Sequence, residues 1–415
     1  MVEIQGKYNK AKVFTDNIEE TAFKQILEIT NQKSFENSNI AIMPDVHAGK
    51  GCVVGFTATS EDYIIPNIVG VDIGCGVLAV RIGKIDIDYE KLDKFIRNNI
   101  PSGASVNTSM DKKTLESLQK IKKRKTKITL EDSIDELSTK TNTDTNRHKL
   151  SLGSLGGGNH FIEIAEDSRG HKWILVHSGS RNFGLQIARY HQKKAEKYIK
   201  EDREKEYQYQ RIILIEKLKK EGRDKDIEVE LKKIKDSYEK IPQGLEYLTG
   251  EDKEEYLQDL GAAIAYSQLN RGLIVNKILK YLDVTAKTSI DTIHNYIDKK
   301  GVIRKGAVSA KKGKELIIPI NMRDGSILCR GKGNDEWNQS APHGAGRILS
   351  RSKAKEELSM SKFKKDMENI YSTSVKESTL DESPDAYKDM EEIIKHIEPT
   401  VKIMDRLKTV YNFKA

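Results

Sequence analysis

The sequence predicts an α+β fold in which short strands and tight glycine turns form the core and charged helices lie around it. Residues 38–84 are dense in Val, Ile and Gly, which is typical of short buried strands joined by glycine turns. Residues 191–240 instead contain 16 basic and 13 acidic side chains, and apolar residues recur there at helical spacing. The length of 415 residues suits two or three domains, or one large enzyme with a single core.

Composition excludes several classes of protein. Hydrophobic residues make up 37% and charged residues 32%, a balance too apolar for a disordered chain. The three cysteines, Cys52, Cys75 and Cys329, cannot form a complete disulfide framework, so at least one thiol is free. The first residues lack the apolar core of a signal peptide, and no run of about 20 apolar residues occurs. We therefore expect a cytoplasmic protein with no membrane partner.

The net charge of +8 says little about partners. It is compatible with a polyanion such as RNA, because Lys and Arg neutralise phosphates. It is also what a lysine-rich solvated surface gives without any partner. Charge alone therefore does not identify a nucleic-acid-binding protein.

Glycine-rich core segments alternate with charged helices along the chain. Residues 111–146 are charged and poor in aromatic residues, which predicts surface helices and a polar loop. Residues 153–184 return to core composition with the strand-like KWILVHSGS. Residues 191–245 are expected to form a charged helical insertion, as a hairpin with Gly222 near its turn.

The second half of the chain repeats this alternation. Helices are expected to continue from Tyr256 to Leu282, and short strands with glycine loops from Asp291 to Arg351. From Lys353 onward the chain is expected to be helical before it ends in the apolar and basic run TVYNFKA. No internal repeat or low-complexity tract interrupts the pattern. Separated glycine-rich segments of this kind can converge on one site.

Five of the nine histidines lie in or beside the glycine-rich segments. They are His47 in PDVHAGKG, His160 in GSLGGGNHF, His177 in VHSGSRNFG, His294 in TIHNY and His343 in APHGAGR. Cys75 and Asp72 share the segment VDIGCG. Imidazole, thiolate and carboxylate groups are the donors of transition-metal sites. No local metal motif is present, so a metal site requires these segments to meet in space.

Each of these residues also has an ordinary structural interpretation. A histidine such as His177 on a strand is commonly just hydrogen-bonded, and Cys75 could be a small buried apolar residue. Asp72 could cap a turn. The remaining histidines lie in charged segments and are expected to be solvated; they are His148, His171, His191 and His396.

Known phosphate-binding loops are absent from the sequence. GSLGGGNH does not have the GxGxxG spacing, and no GxxxxGK[ST] motif occurs. Arg181, Arg347 and Arg351 carry guanidinium groups suited to phosphate, although each could equally be a surface arginine.

Taken together and in order, PDVHAGKG, VGVDIGCG, GSLGGGNHFIEI, HSGSRNFG and SAPHGAGRILSR closely resemble the signature segments of the RtcB family of RNA-splicing and RNA-repair ligases. The resemblance extends from about residue 38 to the terminal lysine. The length and the KGC of the first segment look more like the bacterial branch. The resemblance implies one ligase core over residues 1–415, with no separate nucleotide domain.

The resemblance implies that the protein joins an RNA 3′-phosphate or 2′,3′-cyclic phosphate end to a 5′-hydroxyl end, using GTP and manganese. In the family the histidine corresponding to His343 attacks the α-phosphate of GTP. Two Mn²⁺ ions are implied, bridged by Cys75. Asp72 and His160 would complete one site, and His177 and His294 the other. Ligand softness alone would favour zinc, so manganese is implied by the resemblance and not by the ligands.

The resemblance also assigns the surrounding residues. Nucleotide-binding positions are Asn159, Glu163, His343, Gly344, Ala345, Gly346, Tyr387 and Lys414. Arg181, Arg347 and Arg351 would bind RNA or nucleotide phosphates, while Asp45 and His47 lie in the same core without an assigned role. Residues 322–338 depart from the family pattern, so contacts to the guanosine ribose are not assigned there.

Two other functions use parts of the same pattern. A metal-dependent phosphoesterase or nuclease would need the metal ligands but neither His343 nor Lys414. A non-catalytic RNA-binding protein would need a basic and aromatic surface but no metal cluster. The residues name neither the RNA substrate nor a helper protein.

Overall fold

The computed structural model describes residues 1–60, 62–122, 128–238 and 241–414; residues 123–127 of the predicted polar loop lie outside this part. The strands are β1 (Val2–Gln5), β2 (Lys10–Val13), β3 (Ile40–His47), β4 (Val54–Thr59), β5 (Gly76–Gly83), β6 (Phe161–Glu166), β7 (Lys172–Ser178), β8 (Thr288–Ile293), β9 (Asn295–Ile297), β10 (Val302–Lys305), β11 (Ala307–Ser309), β12 (Glu315–Asn321), β13 (Gly325–Gly331), β14 (Ser340–Pro342) and β15 (Val401–Lys414). The helices are α1 (Glu20–Thr30), α2 (Pro66–Val69), α3 (Tyr89–Asn99), α4 (Lys112–Lys120), α5 (Leu130–Thr141), α6 (Thr145–Leu150), α7 (Arg181–Lys220), α8 (Ile227–Ser237), α9 (Gly250–Leu282), α10 (Arg351–Glu357), α11 (Met360–Asp366) and α12 (Met390–Ile397).

Three sheets organise the core. A six-stranded sheet has the order β1-β2-β3-β4-β10-β9, a small sheet pairs β11 with β14, and a seven-stranded sheet has the order β12-β13-β15-β6-β7-β5-β8. Neighbours in the seven-stranded sheet are antiparallel throughout. Its edge strands β12 and β8 meet where the backbone N–H of Ile317 donates to Thr292 Oγ1 at 3.1 Å. This sheet is therefore nearly closed, and the predicted α+β fold is confirmed.

Side chains alternate between the two faces of the seven-stranded sheet, as the strand repeat requires. On one face of β6, Ile162 and Ile164 pack in an apolar cluster that includes residues of α3 and α9. Phe161 and Ala165 face the other way, into a cluster shared with strands from both ends of the sheet. Glu163, between them, shares this inner face.

The charged segment after β7 is helical, as predicted. The 40-residue helix α7 already begins at Arg181, and Gly222 follows its end with a φ of 70° before the chain returns through α8. Gly permits this left-handed turn at no steric cost. No helix in the described ranges is both long and apolar enough to span a bilayer.

The expectation that histidines in charged segments are solvated is wrong for two of them. His148 and His191 are buried, whereas His171 and His396 stay half-buried. His191 Nε2 lies 2.8 Å from Asp259 on α9, and His148 Nε2 lies 2.9 Å from Thr143 Oγ1. Charged helices can bury these rings because Nε2 of each has a hydrogen-bond partner, whereas Nδ1 of both is, within the described residues, buried without one.

The C-terminal run has a larger structural role than its composition suggests. Residues 401–414 form β15, which lies between β13 and β6 in the seven-stranded sheet. Helices α10, α11 and α12 precede it, as predicted from Lys353 onward. Lys414 is therefore a buried strand residue and not part of a frayed tail.

Candidate active site

Five predicted metal ligands meet at one end of the seven-stranded sheet. Asp72, Cys75 and His160 form one group, and Cys75, His177 and His294 form a second. The Cys75 thiol belongs to both groups: Sγ lies 3.4 Å from His160 Nε2 and 3.3 Å from His177 Nε2. His177 Nε2 lies 3.4 Å from His294 Nε2, and His160 Nε2 lies 3.1 Å from Asp72 Oδ2. The sequence-distant ligands thus converge as the resemblance implied.

Strand order explains this convergence. His160 immediately precedes β6, His177 lies on β7, Cys75 immediately precedes β5, and His294 immediately follows β8. These four strands are consecutive neighbours in the sheet, so their ends meet. Gly74 makes the turn before Cys75 with a φ of 71°, and a Cβ there would overlap Ser267 Oγ. The glycine is therefore required for the thiol to reach its position.

The histidine rings are held with their lone pairs toward the cluster centre. Nδ1 of His160 lies 2.9 Å from the carbonyl oxygen of Leu155, and Nδ1 of His177 lies 3.2 Å from that of Asn159. A carbonyl only accepts, so each Nδ1 donates, and in the neutral ring each Nε2 is the nitrogen with a lone pair for a cation. Burial also lowers the pKa of His177 well below its usual value, which keeps this imidazole neutral.

This donor set fits a pair of cations. Donor atoms bound about 2.0–2.3 Å from one ion stand roughly 3.3–3.8 Å apart, close to the separations around Cys75. Nε2 of His160 lies 3.1 Å from a carboxylate oxygen of Asp72, so a cation bound between them would take the place of the hydrogen bond that this distance allows. Burial and the charge of Asp72 raise the pKa of the Cys75 thiol well above its usual value, so ion binding has to displace its proton.

His343 lies next to this cluster and is oriented by a buried carboxylate. Asp45 on β3 is fully buried, and its Oδ2 accepts from His343 Nδ1 at 2.6 Å and from the His343 backbone N–H at 3.1 Å. The ring centroids of His343 and His294 are 4.8 Å apart. Because Nδ1 donates to Asp45, Nε2 is the nitrogen of His343 that carries a free lone pair in the neutral ring.

A glycine brings the His343 loop close to Asp45. Gly346 has a φ of 77°, and a Cβ on it would overlap the backbone oxygen of Asp45. Asp45 also fixes the neighbouring ring, since its carbonyl lies 2.9 Å from His47 Nδ1. Asp45, whose role the sequence left unassigned, is thus the residue that positions both imidazoles.

A cavity of about 680 Å³ opens beside His343 and the metal cluster. Its volume is typical of small-molecule sites. Twelve predicted residues line it: His47, Asn159, Glu163, His177, His343, Gly344, Ala345, Gly346, Arg347, Arg351, Tyr387 and Lys414. The cavity therefore joins the predicted nucleophile, one metal ligand and every predicted nucleotide-binding residue.

Cross-strand pairs build one wall of the cavity. Asn412 on β15 lies directly opposite Glu163 on β6, and Lys414 lies opposite Phe161. Phe161 in turn pairs with His177 on β7. Paired residues share one face of a sheet, so the wall runs from Lys414 to the metal cluster without a break.

A buried acidic residue that sequence reasoning missed holds the far end of this wall. Glu382 accepts hydrogen bonds from Lys414 Nζ, from Tyr387 Oη at 2.7 Å and from Arg347 Nη1 at 3.4 Å, and it pairs with Arg351 at 2.8 Å. Burial alone would raise its pKa, but the charges of Lys414 and Arg351 lower the pKa of Glu382 to about 2. It lies beside DAYKD, and neither composition nor spacing marks it.

Arginines predicted to bind phosphate differ in their placement. Arg347 and Arg351 line the cavity but already engage carboxylates, whereas Arg181 lies outside its lining. Arg181 has a φ of 57° and donates to Ser154 Oγ at 3.2 Å and to the Gly103 carbonyl at 2.6 Å. Phosphate binding by these three arginines stays a prediction.

Comparison of the sequence with known proteins finds the same family each time. A family model described as tRNA-splicing ligase RtcB matches residues 25–415. The RNA-splicing ligase RtcB of Escherichia coli K12 is 31% identical, over 96% of this chain and 95% of its own length. The tRNA-splicing ligases RtcB of Nanoarchaeum equitans and Methanococcus maripaludis are 27% and 24% identical, and the matches cover 91% and 94% of this chain and 88% and 90% of theirs.

Proposed function

The chain belongs to the RtcB family of tRNA-splicing ligases, and from this premise we propose that it joins RNA ends through a GMP group carried on His343. The enzyme is an RNA ligase. Its proposed substrates are an RNA with a 3′-phosphate or 2′,3′-cyclic phosphate, an RNA with a 5′-hydroxyl, and GTP. The placement of His343 between Asp45 and the metal cluster carries this proposal.

The first step forms a phosphoramidate. His343 Nε2 attacks the α-phosphorus of GTP, the new P–N bond forms, and the bond from that phosphorus to the bridging oxygen breaks as pyrophosphate leaves. The Nδ1 proton stays between His343 and Asp45, whose negative charge balances the positive charge developing on the ring. Two Mn²⁺ ions held by the five ligands would neutralise phosphate charge and orient the leaving group.

The next two steps restore the enzyme. An oxygen of the RNA 3′-phosphate attacks the phosphorus on His343, the P–N bond breaks, and the RNA end now carries GMP. The 5′-hydroxyl then attacks the RNA phosphorus, its proton is lost, and GMP departs. A 2′,3′-cyclic end must first be opened by water to a 3′-phosphate.

The pocket wall supports guanine as the base. Lys414 offers a donor where guanine presents O6, and Glu163 offers an acceptor for the N1–H. Adenine reverses this pattern, because its N1 is an acceptor and would face the carboxylate. GTP is therefore favoured over ATP as the nucleotide.

Labelling the protein tests the proposal. Wild-type protein incubated with Mn²⁺ and GTP labelled at the α-phosphate should retain acid-labile label after denaturation, approaching one GMP per chain. Addition of RNA with a 3′-phosphate should discharge the label, and addition of 5′-hydroxyl RNA should yield joined product. A phosphoesterase would release phosphate without labelling the chain, and a non-catalytic RNA-binding protein would do neither. Absence of label would refute the proposal.

Protonation of Glu163 should make nucleoside binding depend on pH. Burial raises the pKa of this carboxyl to about 8, against the opposing interactions with Asn412, Thr409 and the charge of Lys414. The ionised Glu163 carboxylate accepts a hydrogen bond from guanine N1–H, whereas the protonated carboxyl holds its own proton there. Guanosine affinity should therefore rise as pH increases from 6 to 8 and level off above. Below the pKa we expect a loss approaching tenfold per pH unit.

Calorimetry with guanosine measures this effect without interference from phosphate. Binding near pH 7 should release close to one proton, read from buffers of different ionisation enthalpy. Glu163→Gln should bind more weakly at high pH and show little pH dependence, because its amide does not titrate. A wild-type affinity that is constant from pH 6 to 8 would contradict the assignment.

A further inference from the structure

Asn412 is a buried polar residue that neither the resemblance nor the mechanism uses. It lies on β15 directly opposite Glu163, and the two residues are 1% and 2% exposed. Its Nδ2 donates to Glu163 Oε2 at 3.0 Å. This bond fixes the orientation of the amide group, and the amide oxygen Oδ1 takes no part in the bond to Glu163.

One acceptor of this pair remains unused. Within the described residues, Asn412 Oδ1 is buried and has no hydrogen-bond partner. Asn412 and Glu163 both line the cavity. Buried acceptors are nearly always paired in native proteins, because an unpaired one loses its bonds to water without replacement. An unpaired acceptor on a residue of the cavity wall indicates a ligand that brings a donor.

We infer that Asn412 Oδ1 accepts from the 2-amino group of guanine, making Asn412 a specificity-determining residue for the nucleotide. The inference rests on the proposed function and deepens it. Along its Watson–Crick edge guanine presents one acceptor, O6, and then two donors, N1–H and the 2-amino group. The wall presents the complement: the Lys414 ammonium, the Glu163 carboxylate and the Asn412 amide oxygen.

The strand geometry places these groups on one face. Asn412 and Lys414 are two residues apart on β15, so their side chains leave the same side of the sheet. Tyr411 and Phe413 point to the opposite side, into the apolar cluster beneath α3 and α9. Because Asn412 lies between Tyr411 and Phe413, the alternation of side chains along β15 directs it toward the cavity.

Comparison of GTP with ITP isolates this contact, because inosine lacks only the 2-amino group. Wild type should label on His343 about 10- to 100-fold more efficiently with GTP than with ITP, the range expected when a buried acceptor loses its donor. Asn412→Ala should reduce kcat/KM for GTP by that factor and change the value for ITP less than about threefold. An equal fall for both nucleotides would show a merely structural role and overturn the inference.

Matched variants separate recognition from folding. Asn412→Asp keeps an acceptor oxygen and should keep most of the GTP preference, whereas loss of the preference in both variants would overturn the acceptor role. Asn99→Ala removes an exposed asparagine at the end of α3 and should label like wild type with both nucleotides.

Direct binding distinguishes this inference from the ligase mechanism. Guanosine should bind wild type more tightly than inosine, and Asn412→Ala should abolish the difference. If wild type forms no label yet prefers guanosine in this Asn412-dependent way, the mechanism fails and the base assignment stands. If wild type is labelled but binds guanosine and inosine equally, the base assignment fails and the mechanism stands.

Discussion

Replacement of His343 by alanine is expected to reduce the α-phosphate label to background, a loss of at least about 10⁴-fold. The side chain supplies the only atom to which the GMP is proposed to bond. His294 and His177 direct nitrogen atoms into the metal cluster, and the Nδ1 of His47 lies at the Asp45 carbonyl. The measurement is acid-labile label per chain after incubation with Mn²⁺ and labelled GTP.

Asp45→Asn provides an intermediate case that tests the orientation of the ring. An amide in place of the carboxylate can donate to Nδ1, which favours the tautomer protonated at Nε2 and removes the nucleophilic lone pair. Label formation should fall about 10²- to 10⁴-fold while metal content stays unchanged. A ¹⁵N spectrum of the His343 ring should show the change of tautomer, which a merely destabilised variant would not.

A histidine outside the site gives the matched control. His396 lies on α12, where its Nε2 is 3.9 Å from Asp16 Oδ1, and it does not line the cavity. His396→Ala should label like wild type. Label that persists in His343→Ala would place the GMP on another residue and refute the proposed nucleophile.

Sequence reasoning predicted the elements better than their arrangement. Local composition was sufficient for the strands of residues 38–84 and for the long charged helices, because burial on a strand and the helical repeat are short-range properties. Local composition could not predict that the metal ligands would meet. Cys75 and His294 meet only because β5 and β8 pair, a contact across about 220 residues that no local pattern encodes. The resemblance, and not spacing, assigned them.

Polar residues on the inner face of a nearly closed sheet were the hardest to predict. In the run TVYNFKA, alternation of polar and apolar residues is typical of a strand with one solvated face. Asn412 and Lys414 instead face a cavity, and the missing information is that β15 is covered on both sides. The same reasoning failed for His191, where a charged helix face packs against α9.

Substitution of serine for Cys75 should remove both metal sites at once. The thiol is the one donor common to the two groups, and a serine hydroxyl is too weak an acid to be readily deprotonated and bridge two ions in its place. We expect tightly bound Mn²⁺ to fall from two ions per chain to fewer than one. His343 labelling should fall at least about 10³-fold, since phosphate charge would no longer be neutralised.

A second buried cysteine makes this prediction specific. Cys329 lies on β13 in an apolar cluster with Ile318 and Ile327 and belongs to neither ligand group. Cys329→Ser makes the same chemical change and should lower stability by about 1–3 kcal/mol through burial of a hydroxyl, yet keep two Mn²⁺ ions and the label. If metal content falls equally in both variants, lost stability explains it. If Cys75→Ser retains two ions and full labelling, the thiolate does not bridge them, and the two groups must bind their ions independently.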